Sequence, residues 1–307
     1  MKILITGASG FLGRYLIEHL RTKDPENAVF TVCRNPLTQD GASHTVMDLN
    51  DEKELDALVN RIRPNQIYHL AGIARIHESI SVPDYFNNNT KSTIHLLRAL
   101  KQLTQPVSLF FSSSVHVYGN QTETITEESP LHPLSAYAFT KYLAEEAIRS
   151  HVAENPNLSA VVGRLYSCFG PKQPEGFVAA DLCKKILELS NSPDAILKVG
   201  PLKSYRRFLD VRDTVSVFLK LLEAKQKNRF EIFNLASPHE LQIGEMLTIL
   251  LQLSNKNPKI ESTETVINQF KGLQINTDKL HRFISPSHFR PVKETLGDMM
   301  GCLVSGS

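Results

Sequence analysis

Apolar positions along this chain switch between short unbroken runs and a period of three to four residues. That alternation of buried strands and amphipathic helices builds a parallel α/β sheet. Lys2-Ile3-Leu4-Ile5-Thr6 is the first run. Leu12, Leu16, Ile17 and Leu20 then recur at helical spacing, which predicts a helix over 11–20. The runs 28–33, 66–70, 107–111 and 159–163 repeat the strand pattern. Between them, helices are expected over 51–61, 84–103 and 135–150. Asp51 and Glu54 give the first of these an acidic first turn; Ser135 is the N-cap of the last; Ile94, Leu97 and Leu100 are expected on the buried side of the middle one. From about residue 176 the rhythm weakens, although a helix over 213–223 and a strand over 232–235 still stand out. The expected division is a first domain over 1–170 and a smaller part over 171–307.

The first strand runs straight into Gly7-Ala8-Ser9-Gly10-Phe11-Leu12-Gly13. Glycines at a strand-to-helix junction allow a tight turn, close approach of backbone to a pyrophosphate, and packing of helix on strand. The helix N-terminus adds free N–H groups and the positive end of its dipole. This predicts a Rossmann-type doubly wound sheet that binds a dinucleotide. The second strand ends at Arg34, where an acidic residue would suit the ribose of NAD and an arginine suits the 2′-phosphate of NADP. Arg34 therefore favours NADP, with NAD the alternative.

The fourth run ends in Ser112-Ser113-Ser114, and strand ends on this side of a parallel sheet are where ligands sit. On the helix begun at Ser135, Tyr137 and Lys141 lie one turn apart and share a face. An ammonium beside the phenol is expected to lower its pKa and make it a useful proton donor.

Bulk properties narrow the classes. The chain has 307 residues, 21% of them charged, with a net charge of +2, too small by itself to indicate a nucleic-acid partner. Its four cysteines, Cys33, Cys168, Cys183 and Cys302, lack metal or redox spacing and read as reduced thiols of a cytoplasmic protein. Met1-Lys2-Ile3 leaves no room for a signal peptide, and no apolar run is long enough to span a bilayer. No metal and no membrane association are expected.

The glycine turn, the triple serine followed by Tyr118-Gly119, and Tyr137-x-x-x-Lys141 together resemble the extended short-chain dehydrogenase/reductase family. Within it the chain is most similar to enzymes of nucleotide-activated sugars, in particular the GDP-4-keto-6-deoxy-mannose reductases that form GDP-rhamnose. The resemblance covers nearly the whole chain and is clear from Lys198 to Asp213. It implies that Gly7, Gly10, Phe11, Leu12 and Gly13 hold the pyrophosphate and that Asp48 and Leu49 flank the adenine. Leu70, Ala71 and Gly72 would line the cofactor, with Asn89 near the pocket floor. Ser114 would orient the sugar's C4 oxygen, Tyr137 would exchange its proton, and Lys141 would hold the nicotinamide ribose. Ser167 stands where the family usually carries Asn. Gly176, Phe177, Val178 and Lys184 would face the nucleotide, and Arg206 would clamp its diphosphate with forked donors. A second family arginine is missing from 266–272, where Lys271 could substitute. The family also implies an interleaved substrate-binding part and a homodimer built on helices 84–103 and 135–150.

The same cofactor and Tyr-Lys pair serve 4-epimerases, 4,6-dehydratases and 4-keto reductases. Dehydratases of the family place Asp-Glu directly after the Ser/Thr, whereas Val115-His116 occurs here. His116 can titrate near neutrality, yet it fits a pocket-lining role equally well. Arg34 tips the choice toward an NADPH-dependent 4-ketoreductase. An NAD-dependent 4-epimerase is the alternative, and a catalytically silent NADP-sensing regulator is the alternative of another class.

Overall fold

The computed structural model describes residues 1–23, 25–37, 42–190, 192, 194–263 and 274–305. Its centre is a seven-stranded sheet, parallel throughout. Six strands are β1 (Lys2–Thr6), β2 (Ala28–Cys33), β3 (Ser43–Val46), β4 (Gln66–His69), β5 (Val107–Ser114) and β6 (Leu158–Leu165). The seventh, Phe230–Leu235, lies beside β6, giving the order Phe230–Leu235, β6, β5, β4, β1, β2, β3. The order reverses between β1 and β4, so a crevice opens beyond their carboxyl ends.

Helices cover both faces, as parallel strands require. Helix α1 (Phe11–Lys23) packs on one side through Leu16, Ile17 and Leu20, in a core shared with Phe110, Phe218 and Phe233. The opposite core joins α2 (Glu52–Ile62) to Leu96, Leu100, Phe111 and Ile148. Asp51 caps α2 by accepting the amide of Glu54. A third core lies beyond the sheet and includes Phe169, Cys183, Met246 and Met299. The chain after residue 171 contributes to this core and also returns to the main sheet through Phe230–Leu235. The sites of Lys271 and of the segment 266–272 lie outside the described residues.

The helix expected over 84–103 is divided. A short α3 (Val82–Tyr85), closed by a capping box between Ser81 and Asp84, leads into a π-helical stretch, Phe86–Lys91, and then α4 (Ser92–Leu100). Ile94 is 38% exposed, against the expectation that it faces inward. The buried stripe is instead Thr93, Leu96, Leu97 and Leu100. Thr93 faces inward because it bonds His69 Nε2 at 2.9 Å, and a stripe that begins with a polar residue escapes a hydrophobic pattern. Helix α5 (Ala136–Glu154) starts as predicted, with Ser135 Oγ accepting the amide of Ala138 at 3.1 Å, and runs one turn further than expected.

Candidate active site

Two cavities meet over the crevice between β1 and β4. One, of 410 Å³, runs from the glycine turn past Ser114, Tyr137 and Lys141 to Arg206. The other, of 230 Å³, lies at the end of β2 and is lined by Arg34, Asp48 and Leu49. Gly7, Gly10, Leu70 and Gly72 line both.

The turn fits a dinucleotide backbone. Gly7 has φ +72°, and a Cβ there would come within 2.5 Å of the Ala71 amide nitrogen. A Cβ on Gly13 would approach the Gly7 carbonyl oxygen to 2.5 Å. Bare backbone at both points lets α1 point its first turn into the crevice, with Gly10, Phe11, Leu12 and Gly13 on the wall. Leu70 and Gly72 line this wall too, and Ala71 faces the second cavity. Arg34, Asp48 and Leu49 stand together at the far end, beside the end of β2. Ser9, Asn35, Asn50 and Ser92 share that lining and were missed. Ser9, inside the glycine turn, and Asn35, next to Arg34 at a strand end, carried a positional signal.

Asn89 does not line either cavity. The π-helical stretch aims it between the loop after β4 and α5, where its Oδ1 accepts the amide of Ile73 at 2.7 Å. Its Nδ2 donates to Ile73 O at 3.3 Å and Thr140 Oγ1 at 3.1 Å. These bonds tie the loop after β4 to α5 behind the cavity wall.

Ser114, Tyr137 and Lys141 converge at the centre. Ser114 Oγ accepts the amide of His116 at 3.2 Å and is hydrogen-bonded to the Tyr137 phenol. Lys141 Nζ donates to the carbonyl of Ser112 at 2.9 Å and lies 4.8 Å from the centre of the Phe111 ring. Burial pushes Lys141 down to about 8, opposed by the Glu145 carboxylate. The phenol departs from expectation: burial holds Tyr137 above the ordinary range, and what lowers it is the bond from Ser114, not the ammonium. The physical reason is that Lys141 is drawn to the end of β5. A buried network braces this arrangement. Glu145, one turn beyond Lys141, accepts from Ser113 and is paired with Arg164 at 2.7 Å. Arg164 also donates to Tyr118 Oη at 2.8 Å.

His116 lines the cleft, with its ring centre 5.8 Å from that of Tyr137. Burial, helped by the Arg206 charge, pushes it down to about 4, so it is neutral at pH 7. Ser167, Val178 and Arg206 also face the cleft. The neighbouring Arg207 turns away, donating to Pro238 O at 2.9 Å and Ser237 O at 3.2 Å. Lys184 does not line the cleft; it is partly exposed and paired with Glu175 at 2.6 Å. Its helix, α6 (Val178–Glu188), presents Val178 and Ala179 to the cleft instead. Arg75, on the loop after β4, also lines the cleft and was not anticipated. Among the described residues no cluster of three His, Cys, Asp or Glu could hold a metal, and no helix is long and apolar enough to cross a membrane.

Residues 3–236 match the model of the NAD dependent epimerase/dehydratase family. The chain belongs to that family. Among this family's members it is 29% identical to the GDP-6-deoxy-D-mannose reductase of Pseudomonas aeruginosa, over 82% of this chain and 80% of that protein. It is 28% identical to the UDP-glucose 4-epimerase of Mycoplasma pneumoniae, over 77% and 76%. The structure of RMD from Pseudomonas aeruginosa complexed with NADPH superposes with a TM-score of 0.84 at 25% identity, covering 100% of this chain and 99% of the other.

Proposed function

We propose that this family member reduces the C4 keto group of a nucleotide-diphosphate 4-keto-6-deoxy sugar with NADPH. The observation that carries the reading is the convergence of Ser114, Tyr137 and Lys141 on the larger cavity, which the glycine turn also lines. When bound, the nicotinamide supplies hydride. Tyr137 gives its proton to the developing alkoxide, while the Ser114 hydroxyl hydrogen-bonds the same oxygen. Burial keeps Tyr137 protonated until that oxygen gains charge. Lys141 is placed to hold the nicotinamide ribose from the end of β5.

Arg34 at the adenosine end supports NADPH over NADH, because its forked donors suit a 2′-phosphate. The described lining of the main cleft holds no Asp or Glu, so it lacks the carboxylate base of a dehydratase. The likeness to a 4-epimerase supports a second reading, reversible C4 epimerisation with retained cofactor. A homodimer is part of the proposal. Val82, Phe86, Ile94 and Phe139 are exposed on α3, the π-helical stretch, α4 and α5, an apolar face suited to a second copy.

The test is to incubate the purified protein with NADPH and a panel of nucleotide 4-keto-6-deoxy sugars, following NADPH oxidation and product mass. Stoichiometric oxidation with a product two hydrogens heavier supports reduction. Interconversion of a UDP-hexose without net cofactor use supports the epimerase. Tight NADPH binding without turnover of either kind supports a silent sensor.

A further inference from the structure

Three cationic side chains line the main cleft: Lys141, Arg206 and Arg75. Lys141 has a task in the reading above, and the family resemblance gives Arg206 the diphosphate. Arg75 has none, yet the structure places it with care. Tyr85 Oη donates to the Arg75 carbonyl at 2.8 Å and accepts the amide of His77 at 3.2 Å, so one tyrosine pins the loop on both sides of Ile76. The Tyr85 ring also lies 6.1 Å from that of Tyr137, which ties the position of Arg75 to the reacting phenol.

The guanidinium reaches the opposite wall and lies against Gly176. That residue has φ +91°, and a Cβ on it would come within 2.7 Å of Arg75 Cζ. Only bare backbone leaves room for the guanidinium there. The adjacent acid, Glu175, is already held by Lys184 at 2.6 Å. Among the described residues the Arg75 guanidinium has neither an ion-pair nor a hydrogen-bond partner, so its five N–H donors remain available at the edge of the cleft.

We propose that Arg75 is a further substrate-binding residue, which takes an oxyanion of the nucleotide sugar in the same cleft as Arg206. The inference rests on the nucleotide-sugar reading and adds to it. A planar cation with parallel donors matches phosphate and carboxylate oxygens equally well. Its ligand is therefore either the diphosphate, shared with Arg206, or a carboxylate carried by the sugar.

The experiment is calorimetric titration of the NADP-loaded wild type, Arg75→Gln and Arg75→Lys with GDP, UDP, UDP-glucose and UDP-glucuronate, alongside NADPH titration and thermal unfolding of each protein. Arg75→Gln is expected to weaken binding by roughly 10- to 100-fold, the worth of hydrogen bonds to a charged group. Arg75→Lys recovers part of this, while NADPH affinity and the unfolding midpoint stay unchanged. Loss with all four ligands identifies the diphosphate; loss with UDP-glucuronate alone identifies a sugar carboxylate. Equal affinities in wild type and Arg75→Gln overturn the proposal, and with a lowered midpoint they show that Arg75 is only a strap between the walls. If the wild type binds NADPH but none of the four nucleotides, the nucleotide-sugar reading itself fails and this proposal falls with it.

Discussion

Lys141 Nζ lies 2.9 Å from the carbonyl oxygen of Ser112, held at the end of β5 and not on the phenol of Tyr137. Its proton is the more easily lost for being buried: Lys141 is pushed down to about 8, with Glu145 opposing the shift. The charged form predominates below that value and fades above it. NADPH affinity is therefore expected to fall as pH rises from roughly 7 to 9 if the ammonium binds the ribose. Glu145→Gln removes the opposing charge and should move the inflection to lower pH. Fluorescence titration of NADPH across this range checks both; a flat profile would show that Lys141 does not hold the cofactor through its charge.

Tyr137→Phe leaves the ring in place and removes only the transferable proton. Turnover should drop by roughly 10²- to 10⁴-fold, the usual contribution of a positioned acid, with NADPH affinity little altered. Single-turnover kinetics separate the two effects.

A buried histidine, His69, and a partly buried one, His116, make the fold acid-sensitive. Burial pushes His69 down to about 3 and His116 to about 4, from 6.5. In that interval the unfolded chain binds more protons than the folded one, so stability must fall as pH drops from about 6.5 toward 4. Thermal midpoints measured across that window should decline, and less steeply in His116→Gln. An unchanged slope in the variant would mean that His116 is not held neutral.

Arg34→Asp should reverse cofactor preference. Losing charge-assisted bonds to the 2′-phosphate costs roughly 10- to 100-fold in NADPH affinity, while NADH gains a partner for its ribose hydroxyl. Parallel titrations with the two cofactors report the ratio; an unchanged ratio would show that Arg34 is not the reader of that position.

Ile94→Lys combined with Phe139→Lys places charges on the exposed apolar face of α4 and α5. Light scattering should show a dimer in the wild type and a monomer in the double variant. A wild-type monomer would remove the second copy from the proposal.

Local patterns in the amino-acid order determined the strand–glycine–helix unit, the start of α5 at Ser135, and the shared face of Tyr137 and Lys141, because each depends on neighbours within a few residues. Tertiary packing alone decided the rest. Of the adjacent pair, Arg206 faces the cleft while Arg207 serves carbonyls about thirty residues ahead. Lys184 went to Glu175, and Arg75 found its place only because Gly176, a hundred residues on, leaves bare backbone opposite it. Ile94 turned outward because His69 claimed Thr93. The pKa of Tyr137 followed burial and Ser114, since the charge expected beside it was bound elsewhere. Such outcomes rest on contacts between distant segments, and spacing along a chain carries no record of which donor will reach which acceptor.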